Sequence, residues 1–279
     1  MVAFTAKWPS DKNYTEWHYF KTESLDNGRT WSEPVPFAVH DNHAAICGAP
    51  LKLSDSEYLY ACCFFDKRTK PLTGPVSLLA HTKNEVEASS ITELPKTKGE
   101  SPWKFGTHLH GCSVLIAKDD ETTEFTEFGY IANRPLGLLE PTVIRLKNSN
   151  IAMLMRAKWG GFLWRFDSND NGRTWSKVWQ TDIPNPSSLA CLIRLPDGCI
   201  GLLHNPSGGE VGEWGVRSPL SLWISNDKMN TWQIKADLIT GGQLAYPNAI
   251  IFRDKLVFVY DKNRREAKFV EVTIPKPAP

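Results

Sequence analysis

The 279-residue sequence holds no uninterrupted apolar run near the roughly 20 residues that a membrane helix needs, so no span is expected. It has no excess of one charge. Its 32 Lys and Arg stand against 31 Asp and Glu, and a net charge of +1 excludes a broad electrostatic nucleic-acid binder. It has no CxxC pair. Cys47, Cys62, Cys63, Cys112, Cys191 and Cys199 lie mostly among apolar neighbours, as in Ala61-Cys62-Cys63-Phe64. This pattern reads as small buried strand residues, without a metal or a redox motif. No segment carries a sustained helical stripe of about eleven residues or more. The first residues, MVAFTAKWPSDKNY, lack the basic-then-apolar order of a secretory leader. With free thiols this favours a reducing, cytoplasmic setting if the start is genuine, and secretion if upstream residues are missing.

What the chain does have is 11 Trp, 19 Gly and 19 Pro. Large aromatics among many turn-formers suggest an all-β chain whose rings fill the space between sheets. Short Val/Ile/Leu/Phe/Trp-rich runs recur at 1–8, 17–24, 58–65, 112–117, 140–146, 151–156, 162–168, 189–195, 199–204, 220–225, 249–252, 256–260 and 268–273. Asp, Asn, Gly or Pro stand between them, which is the strand-and-turn alternation. Residues 67–74 and 95–106 are polar, Pro/Gly/Lys-rich and read as surface loops. No linker divides the chain, so residues 1–279 read as one domain.

An internal repeat decides the architecture. Ser24-Leu25-Asp26-Asn27-Gly28-Arg29-Thr30-Trp31-Ser32 recurs as Ser168-Asn169-Asp170-Asn171-Gly172-Arg173-Thr174-Trp175-Ser176, and a worn copy runs from Ser225 to Trp232. In S-x-D-x-G-x-T-W, Asp bonds the backbone ahead of it and closes the turn, Gly supplies a positive φ, and Trp opens the return strand. These are Asp-boxes, and the chain resembles the sialidase superfamily of BNR-repeat proteins. The resemblance covers nearly the whole chain and is densest over 137–175 and 184–232. It implies a six-bladed β-propeller of four-stranded antiparallel sheets. Innermost strands are expected to begin near Ala45, Leu138, Ser187 and Ala245. The first blade looks clipped, because nothing before Met1 supplies its innermost strand with the family's Arg-Ile-Pro motif.

In such a propeller the substrate sits where the innermost strands begin, and the Asp-box turns lie at the opposite ends of the blades. The resemblance implies that Tyr246, in Ala245-Tyr246-Pro247-Asn248, is a nucleophile, an exception among glycosidases that pair two carboxylates. Glu140, in Leu139-Glu140-Pro141-Thr142, would polarise it, since a phenol with a pKa near 10 needs a base. The Tyr246 hydroxyl is therefore expected within or near hydrogen-bond reach of the Glu140 carboxylate. Asp11 falls in the loop where family members keep an acid/base residue. Arg217 resembles one arginine of the triad that grips a substrate carboxylate through its planar fork.

Departures bear on the substrate. The first triad arginine is absent with its strand, and the second expected position falls near Leu163-Trp164, with Arg165 pointing away. Arg156 is a substitute. With one arginine secure, little turnover of a simple aryl sialoside is expected, and another acidic glycan is the better substrate. Trp164, Trp8 and Trp159 are candidate faces for stacking sugars. His108, His110 and His43 suggest a different chemistry, with His110 or His43 as a proton carrier in a lyase- or rhamnosidase-like reaction. The expected activity is thus a glycoside hydrolase acting on a terminal acidic sugar. The alternatives are a non-catalytic carbohydrate-binding propeller or an inactive hydrolase fragment. The expected partner is an oligosaccharide, and no cofactor or metal is implied.

Overall fold

The computed structural model describes residues 2–7, 17–26, 29–40, 45–66, 109–117, 126–132, 137–158, 161–208 and 215–274. They form antiparallel strands only, and among them no helix is long and apolar enough to cross a membrane. Strands β1 (Val2–Lys7), β2 (Trp17–Glu23) and β3 (Val35–His40) make a three-stranded sheet. A second sheet contains β4 (Ala45–Ile46), β5 (Leu51–Lys52), β6 (Tyr58–Asp66), β7 (Leu109–Ala117) and β8 (Thr126–Ala132). Two four-stranded meanders follow, β9 (Leu138–Arg145), β10 (Ile151–Ala157), β11 (Phe162–Ser168) and β12 (Trp179–Pro184), then β13 (Cys191–Arg194), β14 (Ile200–His204), β15 (Leu220–Ser225) and β16 (Ile234–Ile239). The last sheet has three strands, β17 (Leu244–Phe252), β18 (Lys255–Lys262) and β19 (Glu266–Thr273).

The last four sheets pack side by side as consecutive blades, through β6 and β7 on β9, β9 on β13, and β13 on β17. The count is therefore corrected. The described residues build four packed blades, not six, in a propeller-like all-β arrangement. The separate sheet β1–β3 carries its Asp-box between its second and third strands, whereas blades β9–β12 and β13–β16 carry theirs between the third and fourth. It thus corresponds to the three outer strands of a blade. Among the described residues no strand takes its innermost position.

Three apolar seams join the four blades. Leu59, Cys63 and Val114 meet Met153, Met155 and Phe166 in the first seam. Leu154 and Leu163 meet Leu192, Leu202 and Trp223 in the second. Leu203, Leu220 and Leu222 meet Leu244, Leu256 and Phe258 in the third. A strand between two seams is buried on both faces and needs no polar alternation. Strand β10 fits this, since Ile151-Ala152-Met153-Leu154-Met155-Arg156-Ala157 is buried throughout. Its one charge, Arg156, would be costly there without a partner.

The Asp-boxes close their turns alike. Asp26, Asp170 and Asp227 each accept the backbone N–H of the Thr four residues on, at 2.8, 2.8 and 3.0 Å. Each also takes that Thr's hydroxyl at 2.6 Å. Each receives the hydroxyl of the Ser two residues before it. In the second box the Trp then packs back onto the preceding blade. Trp175 stacks on Phe166 with 5.0 Å between ring centroids, and a Cβ on Gly129 of β8 would lie 2.2 Å from its Nε1.

Candidate functional site

Register places the site at the other end of the blades. Ile151 lies opposite Arg145 and Ser168, whereas Arg156 lies opposite Leu139 and Leu163. Glu140 therefore stands at the far end of its sheet from the Asp170 turn, as expected. Its immediate geometry is a bulge. Leu139 pairs with Arg156 and Thr142 with Leu154, so Glu140 and Pro141 together oppose Met155 alone. The last blade repeats the device. Ala245 pairs with Asp261 and Asn248 with Val259, so Tyr246 and Pro247 together oppose Tyr260. Glu140 has φ 47° and Tyr246 φ 55°, the left-handed region that non-glycine residues seldom occupy. Proline fits the second bulge position because β9 and β17 are edge strands of their sheets, where a missing N–H breaks no ladder. Left-handed carboxylate and phenol carriers in matching bulges are strain of the kind that clusters at functional sites.

The turn 185–188 ahead of β13 supplies the third head. Asn185 closes it by accepting Ser188 N–H and donating to Ser188 O, both at 2.9 Å, and Ser187 has φ 57°. Ser187 is the junction of the site. Arg156 donates through Nη1 to the Ser187 hydroxyl at 2.6 Å and to its carbonyl at 3.2 Å. Arg217 donates through Nη2 to the same carbonyl at 2.7 Å. Two buried guanidinium groups from different blades thus meet on one oxygen. Arg217 is held from the last blade, where Leu244 N–H donates to its carbonyl at 2.9 Å. Its guanidinium carbon lies 5.6 Å from the centroid of the Tyr246 ring.

Glu140 forms a fork with Arg156, Nε to Oε2 at 2.5 Å and Nη2 to Oε1 at 2.9 Å. Burial works to lower the Arg156 pKa, but the charge and hydrogen bonds of Glu140 outweigh it and the net shift is upward. Arg217 is shifted the other way, by burial first and by the neighbouring Arg156 second. No hydrogen bond joins Tyr246 to Glu140 among the described residues, and each Glu140 carboxylate oxygen accepts from Arg156. Tyr246 nonetheless lies within electrostatic reach of both arginines. Tyr246 also lines a cavity of about 140 Å³ with Gly48, Thr142, Ala190 and Asn248 among others, drawing residues from all four packed blades.

The structure brings together Glu140, Arg156, Arg217 and Tyr246. It does not bring in Trp164. That ring is 7 % exposed and packed in the first seam, with no face for a sugar. The β-strand alternation explains this, since Arg165 takes the other face and pairs with Asp167 at 2.9 Å. Asp11, His43, His108, Trp8 and Trp159 lie outside the described residues. The backbone of His110 is on β7 opposite Phe65, and its side chain lies outside the description. Among the described residues no group of His, Cys, Asp or Glu is placed to hold a metal. Ser187 was expected only as the start of a strand and not as a site residue, although a proline beside each of Glu140, Tyr246 and Ser187 marks the three heads.

The sequence matches the BNR repeat-like domain over residues 106–259. The chain belongs to the BNR repeat-like family. Its fold is that of sialidases, as solved structures bear out. The NanB sialidase of Streptococcus pneumoniae, as a K499G mutant, superposes with a TM-score of 0.58 at 17 % identity, over 92 % of this chain and 36 % of NanB. The intramolecular trans-sialidase of Ruminococcus gnavus, solved with oseltamivir carboxylate, gives 0.58 at 11 %, over 98 % of this chain and 59 % of the other. An α-L-arabinanase of Penicillium chrysogenum, solved with arabinobiose, gives 0.58 at 13 %, over 98 % and 71 %. The BNR chain therefore spans little more than a third of the length of NanB. No curated protein matches it significantly in sequence.

Proposed function

We propose that this BNR protein is a glycoside hydrolase acting on a terminal sugar that carries a carboxylate. The observation that supports the reading is the meeting of Arg156 and Arg217 on the Ser187 carbonyl beside Tyr246. Two forked cations meeting beside Tyr246 suit one planar carboxylate. Arg156 joins Arg217 in this role, so the carboxylate clamp is stronger than a single secure arginine would make it. In the reaction, a substrate carboxylate competes with Glu140 for Arg156. The released Glu140 takes the phenolic proton as the Tyr246 oxygen bonds the anomeric carbon. The leaving oxygen takes a proton from an acid, the role proposed for Asp11, and water then cleaves the tyrosyl glycoside.

The test is an assay on aryl sialosides and on uronic-acid and rhamnose-containing oligosaccharides. Cleavage of a carboxylate sugar, abolished in Tyr246→Phe and Glu140→Gln, supports the reading. Arg217→Ala is expected to weaken binding of that sugar about 10- to 100-fold, the worth of one or two charge-assisted hydrogen bonds. Cleavage that survives both substitutions sinks it and directs attention to His110. A second reading is favoured by the fork between Arg156 and Glu140, which occupies the would-be base. On that reading the propeller binds an acidic glycan without cleaving it. Saturable binding lost in Arg217→Ala, with no product from any glycan, selects it.

A further inference from the structure

Three cysteines crowd behind the head of β9. Cys47 donates its S–H toward the Cys63 sulfur with 3.8 Å between the sulfurs. Cys63 on β6 stands directly opposite Cys112 on β7. The Cys63 sulfur also takes the backbone N–H of Glu140 and lies in the field of Arg156. Donation from Cys47, ahead of the opposing burial, holds the Cys63 thiol low, while burial holds Cys112 up. Cys47 is held up by that same hydrogen bond and by burial. The Cys47 and Cys63 sulfurs thus face one another at hydrogen-bond distance, and Cys63 lies against the backbone of a site residue. The pair is buried, with Cys47 7 % and Cys63 2 % exposed, and Gly48, next to Cys47 in the chain, lines the cavity beside Tyr246.

We propose that Cys47 and Cys63 are a peroxide-oxidisable pair whose disulfide removes a hydrogen-bond acceptor from the backbone of Glu140. The Cys63 thiolate attacks one oxygen of hydrogen peroxide, and the other oxygen leaves as hydroxide and is protonated to water. Cys63 is then a sulfenic acid. The Cys47 sulfur displaces its hydroxyl, which leaves as a second water with the Cys47 proton, and the S–S bond forms. Two sulfurs have lost two electrons and the peroxide has gained them. The Cys63 sulfur turns toward Cys47, so the strained Glu140 bulge loses a partner. This inference stands apart from the choice of substrate, since it rests on the sulfurs and on the backbone of Glu140.

The experiment treats the folded, unmodified chain with hydrogen peroxide, alkylates the remaining thiols after unfolding, and maps the peptides by mass. The expected result is loss of two hydrogen atoms, a cross-link between the Cys47 and Cys63 peptides, and reversal by dithiothreitol. In Cys47→Ala, which takes away both the resolving sulfur and the donor that holds Cys63 low, no cross-link at Cys63 is expected and Cys112 stays unmodified. A link from Cys63 to Cys112, six alkylatable thiols after treatment, or oxidation only in denaturant would each overturn the proposal. The mapping on the unmodified chain decides the matter even if a variant fails to fold.

Discussion

The two ends of the same blades repeat different things. At the Asp-box end the side chains repeat, and each spends its polar atoms on its own turn. The Asp26 and Asp227 carboxyls are held at about 2, first by the hydroxyl and then by the N–H of the Thr four residues on. Carboxylates held that low carry no proton at neutral pH and so serve structure rather than acid catalysis. At the other end only the backbone repeats. The bulges at Glu140-Pro141 and Tyr246-Pro247 share their register and their left-handed φ, yet one carries a carboxylate and the other a phenol. Their partners differ as well, since Glu140 pairs with Arg156 of its own blade whereas Tyr246 lies beside Arg217 of the blade before it. In a repeat protein, chemistry is concentrated where the scaffold recurs and the side chains diverge.

The largest expected effect is at the seat of a box tryptophan. Gly129 has φ 61°, and a Cβ there would meet Trp175 Nε1 at 2.2 Å and Cδ1 at 2.4 Å. Gly129→Ala adds the left-handed penalty to overpacking in a filled seam, together about 2–5 kcal/mol. Urea unfolding is the measurement, and a loss under 1 kcal/mol would mean that the seam yields more easily than its packing implies.

A pair of substitutions tests the contrast between the ends directly. Asp170 accepts from Ser168, Arg173, Thr174 N–H and the Thr174 hydroxyl. Asp170→Ala leaves these donors unpaired at a half-buried turn and is expected to cost about 2–3 kcal/mol, with glycan binding retained by the folded fraction. Glu140→Gln keeps the side-chain shape but takes the counter-charge from buried Arg156, is expected to cost about 3 kcal/mol, the low end for a broken buried pair because the Gln oxygen still accepts an Arg156 N–H, and should abolish or sharply alter the site's activity. Denaturation and glycan assays on both variants check this. Should the box variant lose binding while folded, or the site variant lose most of its stability with its function intact, the division of labour is wrong.

How far the sequence reveals each end follows from the same division. The boxes were legible because their residues serve a turn that needs only neighbours in the chain. The innermost strands were also located, since Ala45 and Leu138 open β4 and β9 and β17 begins at Leu244. Outer strands escaped. Trp179–Pro184 and Ile234–Ile239 are largely exposed and lack apolar alternation, because an outermost strand has little to bury. Glu140, Arg217 and Tyr246 were found through resemblance and odd local polarity. What sequence could not supply was the fork between Arg156 and Glu140, which depends on a one-residue bulge bringing neighbouring strands into step. Nor could it supply the role of Ser187, which is decided by two arginines arriving from 31 and 30 residues away.

The smallest expected effect is a gain, at the worn box. Asn171 and Gly172 occupy the two left-handed positions of the second box, with φ 59° and 85°. The third box has Lys228 at φ 65° and Met229 at φ 67° in their place. Neither is a residue that relieves the Cβ clash of this region, whereas Asn tolerates it by bonding locally. Met229 is not open to change, because its side chain is buried in the second seam. Lys228 is exposed, and what it contributes inward is its carbonyl, which accepts Arg165 Nη1 at 3.0 Å. Lys228→Asn keeps that carbonyl and eases the backbone. It is expected to stabilise the protein by about 0.5–1 kcal/mol, read as a higher urea midpoint at unchanged slope. A loss of stability would show that the lysine side chain, and not the turn's strain, governs this position, and that wear in a box is selected rather than tolerated.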